Sequence, residues 1–149
     1  MNEMHINKMN NELPIWDLSE IYKNIKDPKI NKDIKNIRKS ANNFLKKWKG
    51  KINYLNPSDF LICINEYQEI NEAIYKIATH SSLIFATNME DPEISKYNST
   101  ISDEITEILS PLIFVTLELS KVDDNTVKDW LNDKEAKIWK PYIKLLRKR

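Results

Sequence analysis

The chain has 149 residues, with 23 Lys and Arg balancing 22 Asp and Glu to a net charge of +1, and a single glycine, a single cysteine and two histidines. That length makes one domain, and a lone glycine against an ordinary share of about 7% excludes glycine-rich phosphate loops and dinucleotide-binding turns. Cys63 by itself forms no intrachain disulfide and no four-cysteine zinc site.

The pattern divides the chain into an N-terminal extension with a lead-in segment over 1–26 and a helical domain over 27–149. The first residues, Met1-Asn2-Glu3-Met4-His5-Ile6-Asn7-Lys8, lack the apolar core of a signal peptide. No stretch approaches ~20 uninterrupted apolar residues, so no membrane span and a cytoplasmic location are expected.

Asp27-Pro28 places a capping side chain before a first-turn proline, where the missing N–H costs nothing. Ile30, Ile34, Ile37, Ala41, Phe44, Leu45 and Trp48 then fall on one face of a helix, with Lys32, Lys35, Lys39, Asn43 and Lys46 opposite. Gly50 stands where a helix C-cap is expected. Asn56-Pro57-Ser58-Asp59 repeats the cap-plus-proline signal before a long stripe of Phe60, Cys63, Tyr67, Ile70, Ile74, Ile77, Ala78, Ser81 and Phe85. A third helix opens at Asp91-Pro92-Glu93 and carries Ile94, Tyr97, Ile101, Ile105, Ile108, Leu112, Val115 and Leu119. Pro111 should kink it, by removing one hydrogen bond and crowding the preceding turn. The run Leu112–Leu117 is apolar on every side and reads as a wholly buried turn. After Asp123-Asp124-Asn125 a shorter element holds Val127, Trp130 and Leu131. The last helix, from Lys134 to Arg149, carries Ile138, Trp139, Tyr142, Ile143 and Leu146, with Pro141 near its middle, and stops mid-pattern. The expected fold is an all-α, up-down bundle of long antiparallel amphipathic helices.

Charge is distributed unevenly. Residues 23–51 sum to +9 and residues 52–120 to −9. Either a basic surface meets nucleic acid or an anionic membrane, or oppositely charged helices lie side by side; the near-neutral total favours the second. Base stacking needs exposed aromatics among the cations, whereas Phe44 and Trp48 belong to the apolar stripe. The basic helix's apolar face likewise has partners in the other helices, so neither nucleic acid nor membrane is expected.

Catalytic chemistry is thin. A zinc-peptidase helix needs two histidines four apart with a glutamate between them, but His5 and His80 have no such partners. His80 lies toward the edge of the second stripe and reads as a partly buried structural histidine. Cys63 sits between Phe60 and Tyr67 on the apolar stripe and reads as a buried thiol. Glu66, Glu69 and Glu72 read as a solvated acidic face, because a hard cation needs oxygen ligands from several elements. No catalytic, metal-binding or cofactor-binding residue is expected. Trp16, Phe44, Trp48, Tyr67 and Phe114 are expected to be structural anchors.

In order, these segments resemble the N-terminal region of the oligoendopeptidase F family of zinc metallopeptidases, relatives of thimet oligopeptidase. Leu13-Pro14-Ile15-Trp16-Asp17-Leu18-Ser19-Glu20-Ile21-Tyr22 looks like the family's opening segment, and Phe44–Ile52 like the close of its first long helix. Tyr67–Ile77 resembles its second helix, Ser82–Thr87 leading to Asp91-Pro92-Glu93 the following turn, Phe114–Leu119 the end of its third helix, and Tyr142–Arg147 the start of the next. The family's His-Glu-x-x-His pair and later glutamate ligand have no counterpart in this sequence. The resemblance implies a truncated or detached, non-catalytic piece that forms part of a wall or lid over a peptide channel, with zinc held only in complete family members and, for a detached piece, a catalytic part encoded separately. Apolar faces left open by such a part would favour dimers or aggregates. The other reading is a self-standing helical protein-interaction module.

Overall fold

A computed structural model describes residues 21–147; Trp16 and the other residues before Ile21, and Lys148 and Arg149, lie outside them. The described chain is an all-α bundle. Its elements are α1 (Pro28–Trp48), a short three-ten turn (Ile52–Tyr54), α2 (Pro57–Thr87), α3 (Pro92–Leu109), a second three-ten turn (Ser110–Ile113), α4 (Phe114–Lys121), α5 (Asp124–Trp130), a third three-ten turn (Lys137–Trp139) and α6 (Lys140–Arg147).

The starts of the first three helices follow from their caps. The side chains of Asp27, Asn56 and Asp91 accept the backbone N–H groups of Lys29, Asp59 and Glu93 at 2.8–2.9 Å, each just ahead of a first-turn proline. Asp123 caps α5 in the same way. Residues 23–26 lead into α1, and Ile21 and Tyr22 before them are buried in the core.

Helices α1, α2 and α3 pack side by side. The α1 stripe is buried as the periodicity requires: Ile30, Ile34, Ile37, Ala41, Phe44 and Trp48 point inward and the lysines outward. Charge follows the packing. Arg38 of α1 pairs with Glu104 at 2.7 Å and Glu107 at 3.2 Å on α3, Lys47 with Glu66 of α2 at 2.8 Å, and Lys26 with Glu93 at 3.4 Å. Three cations of the basic segment thus pair with carboxylates of the acidic segment across helix interfaces.

Gly50 turns the chain out of α1 with φ +81°, a conformation that L side chains rarely adopt. Its N–H and that of Ile52 donate to the two carboxylate oxygens of Glu118 on α4, at 2.7 and 3.2 Å. Next to Glu118, Arg147 of α6 donates to the carbonyls of Leu119 and Val122 that close α4, at 3.3 and 2.8 Å, and to Asp124 at 2.7 Å.

Four expectations are corrected. Pro111 does more than kink the third helix: the α-helix ends at Leu109, and a three-ten turn separates α3 from α4. The Leu112–Leu117 run is not buried all round, because Leu112, Phe114 and Val115 face the core while Ile113 and Leu117 face out. Lys134–Arg149 is not one continuous helix with a central proline. Pro141 instead lies in the first turn of α6, the position where its missing N–H is harmless, and Ile138 in the preceding turn is exposed. Finally, His80 is not at an edge but fully enclosed, since the lead-in residue Tyr22 and Tyr97 of α3 cover it.

Candidate functional site

A groove of about 540 Å³ opens between α1 and α2. Ile37 and Phe44 from α1 and Ile70, Ala73 and Ile77 from α2 make its apolar lining. Asn36, Ser40 and Asn43 on one wall and Glu69 and Lys76 on the other supply polar groups. From Asp33 to Lys47 it follows fourteen residue steps of α1, roughly 21 Å at about 1.5 Å per residue. An extended chain of about six residues has the same length.

A polar cluster closes each end. Near the α1 C-terminus, Glu66 accepts the Trp48 indole N–H at 2.8 Å on one oxygen and the Lys47 ammonium at 2.8 Å on the other. The same ammonium lies 4.8 Å from the Trp48 ring centroid. Both bonds are charge-assisted, which fixes the angle between the two helix ends. The reading of Glu66 as part of a solvated acidic face is therefore corrected: it clasps α1 to α2. Glu69 and Glu72 are exposed.

Near the α1 N-terminus, Tyr22 donates its hydroxyl to Asp33 at 2.8 Å and presents its ring to His80 edge-on, with centroids 5.0 Å apart. His80 Nδ1 lies 2.9 Å from the Tyr97 hydroxyl, while its buried Nε2 has no hydrogen-bond partner among the described residues. Ser81 donates to Asn98 at 2.8 Å beside them. Burial drives the titrations here. It lowers the His80 pKa, pushes Tyr97 up to about 12 and, with Asp33 alongside, lifts Tyr22 far above the usual phenol range.

Burial, with Glu66 nearby, pushes the Cys63 thiol up to about 12, which disfavours the thiolate near neutral pH. Among the described residues no three His, Cys, Asp or Glu side chains converge as metal ligands.

The anchor candidates divide. Phe44, Trp48 and Phe114 are buried, and Phe44 joins Tyr67 and Phe114 at ring-centroid distances of 5.7 and 5.8 Å. Tyr67 is half-buried on the core edge. Trp16 lies outside the described residues. Reasoning from sequence missed the deepest aromatic: Trp130 is 0% exposed, stacks 4.5 Å from Phe60 with the rings 8° from parallel, and donates its indole N–H to the Leu55 carbonyl at 2.8 Å. The available signal was a lone tryptophan on the apolar side of a short capped helix.

An oligoendopeptidase F homolog of Borreliella burgdorferi is 27% identical to this chain over 140 residues. This is a distant relationship to the oligoendopeptidase F family. The match covers 93% of this chain and 23% of that homolog, so the chain spans about a quarter of the relative's length. No family model matches the chain, and no solved structure does. No described helix is long and apolar enough to cross a membrane.

Proposed function

We propose that this chain corresponds to the N-terminal helical domain of an oligoendopeptidase F-like zinc metallopeptidase, detached from the catalytic part. Its role is to form part of the wall or lid of a peptide channel. The observation that carries the reading is the 27% identity spread over 93% of the chain. The α1–α2 groove supports it, because an apolar floor with amide, hydroxyl and charged side chains of both signs along its rim suits short peptides of mixed sequence. Zinc and the hydrolytic residues belong to the separately encoded catalytic part, and the assembly is cytoplasmic. Neither nucleic acid nor membrane enters the scheme.

A chimera tests this. Replacing the matching 140-residue region of the B. burgdorferi homolog with this chain should preserve whatever chelator-sensitive cleavage of short peptides the intact homolog shows. A soluble chimera that binds zinc but leaves those peptides intact would refute the proposal. The chain alone should hold no stoichiometric zinc by mass spectrometry and should cleave nothing.

One observation favours a self-standing interaction module instead. Trp130, Ala136 and Ile143, at the end of the chain, are all buried in the same core as Tyr22 and Ile30. A cooperative monomeric unfolding transition together with an inactive chimera would select that reading.

A further inference from the structure

One face of the α3–turn–α4 run is uncharged from Thr106 to Ser120, with Lys121 at its far end, in a chain that is 30% charged. Leu109, Ile113 and Leu117 lie along it with 36%, 59% and 39% of their surface exposed. Thr106, Ser110, Thr116 and Ser120 stand between them at helical spacings. Each of these hydroxyls is already satisfied by its own backbone. Thr106 donates to the Ser102 carbonyl at 2.9 Å, Ser110 to Thr106 at 2.8 Å, Thr116 to Ile113 at 3.1 Å and Ser120 to Leu117 at 2.8 Å. Of the nearby carboxylates, Glu104 and Glu107 pair with Arg38 and Glu118 with the backbone of Gly50 and Ile52, while exposed Asp103 stands one turn before Thr106.

Covering a polar side chain costs free energy when it leaves a hydrogen bond unmade. Hydroxyls bonded back to their own helix escape that cost. This face can therefore be dehydrated cheaply, while three large apolar side chains gain from dehydration. Three partly exposed side chains fall well short of the roughly 800 Å² per partner that a stable dimer buries. A patch of that size works as one part of a larger contact held by other attachments.

We infer that the Leu109–Ile113–Leu117 face is where the catalytic part of the peptidase packs, through an uncharged, predominantly apolar surface of its own. The inference rests on the proposed function. The occupant follows from the relative, of which this chain matches only 23%, leaving a much larger body to supply the contact.

The test uses the isolated chain and the chimera with the B. burgdorferi homolog, each with and without Ile113→Asp and Leu117→Asp. Because both side chains face out, the isolated double variant should keep the wild-type helical signal and urea midpoint. In the chimera, the same pair should lower peptide cleavage about tenfold or more by burying carboxylates without partners. Tyr54→Asp, at an apolar position 82% exposed elsewhere, should change neither protein. If the wild-type chimera is active and the double variant matches it, the inference fails while the proposed function stands. If the wild-type chimera folds, binds zinc and is inactive, both fail. Unfolding of the isolated double variant, or a wild-type dimer that it converts to monomer, would assign the face to the core or to a second copy and overturn the inference.

Discussion

Trp130 allows a sharp test of how the bundle is held together. The residue ends α5, and its indole is sealed between Phe60 of α2 and the Leu55 carbonyl just before that helix. Trp130→Ala removes a complete aromatic side chain from a closed site, a change that costs about 3–5 kcal/mol in well-packed cores. It also strips the Leu55 carbonyl of its indole donor, worth about 1–3 kcal/mol if water cannot reach the oxygen. These contributions overlap, so about 5 kcal/mol is expected, which approaches the whole stability of a domain with a margin of about 5–15 kcal/mol. Trp130→Phe is the more discriminating variant. It keeps a ring to stack on Phe60 and removes only the N–H and the volume of the second ring, so about 2–3 kcal/mol should be lost. Urea unfolding followed by circular dichroism at 222 nm should show the midpoint falling by about 1–2 M, given a slope of about 1–3 kcal/mol/M. A Phe variant within about 0.5 kcal/mol of wild type would refute the reasoning, because neither the hydrogen bond nor the tight enclosure would then contribute measurably.

Three further predictions use the same denaturation assay. Trp48→Ala should cost about 3–5 kcal/mol, and Glu66→Leu about 1–3 kcal/mol by leaving the Trp48 N–H without its acceptor. Glu66→Gln, which preserves an acceptor, should cost less than Glu66→Leu, and equal losses would sink the clasp. Gly50→Ala should lose about 1–2 kcal/mol despite open space around the added carbon, since L side chains rarely adopt its φ of +81°, and Gly50→Asn should lose less. Acid should weaken the fold through His80, whose pKa burial holds below the usual value of 6.5. The unfolded chain then binds more protons, so stability is complete above about pH 6.5 and declines as pH falls toward the folded value. The groups facing the ring are the Tyr22 and Tyr97 phenols, with Asp27 the nearby carboxylate. His80→Gln should flatten the profile below about pH 6.5; an unchanged slope would place the titrating group elsewhere.

Much of this fold was legible in the sequence because its signals are local. A capping side chain before a proline needs neighbours only two or three residues away, and the α1 stripe needs only a period. The candidate site was less legible because its parts meet across long separations. Glu66 has the spacing of an exposed acidic row, and only the packing of α2 on α1 brings Trp48 and Lys47 to it. His80 looked peripheral by helical angle, yet Tyr22 arrives from outside both helices to cover it. Pro141 misled because a proline inside an apolar pattern marks either a break or a beginning. The three-ten turn before it resolves the choice.

The contact between Glu118 and the turn at Gly50 has a kinetic consequence. A connection between two consecutive helices is ordinarily a short-range structure, able to form before the rest of the chain arrives. Here the N–H groups of Gly50 and Ile52 gain their acceptor from residues 68 and 66 positions later. An early α1–α2 hairpin therefore lacks its final fastening until α4 docks. Docking of α4 is thus the step that completes the turn between the two long helices.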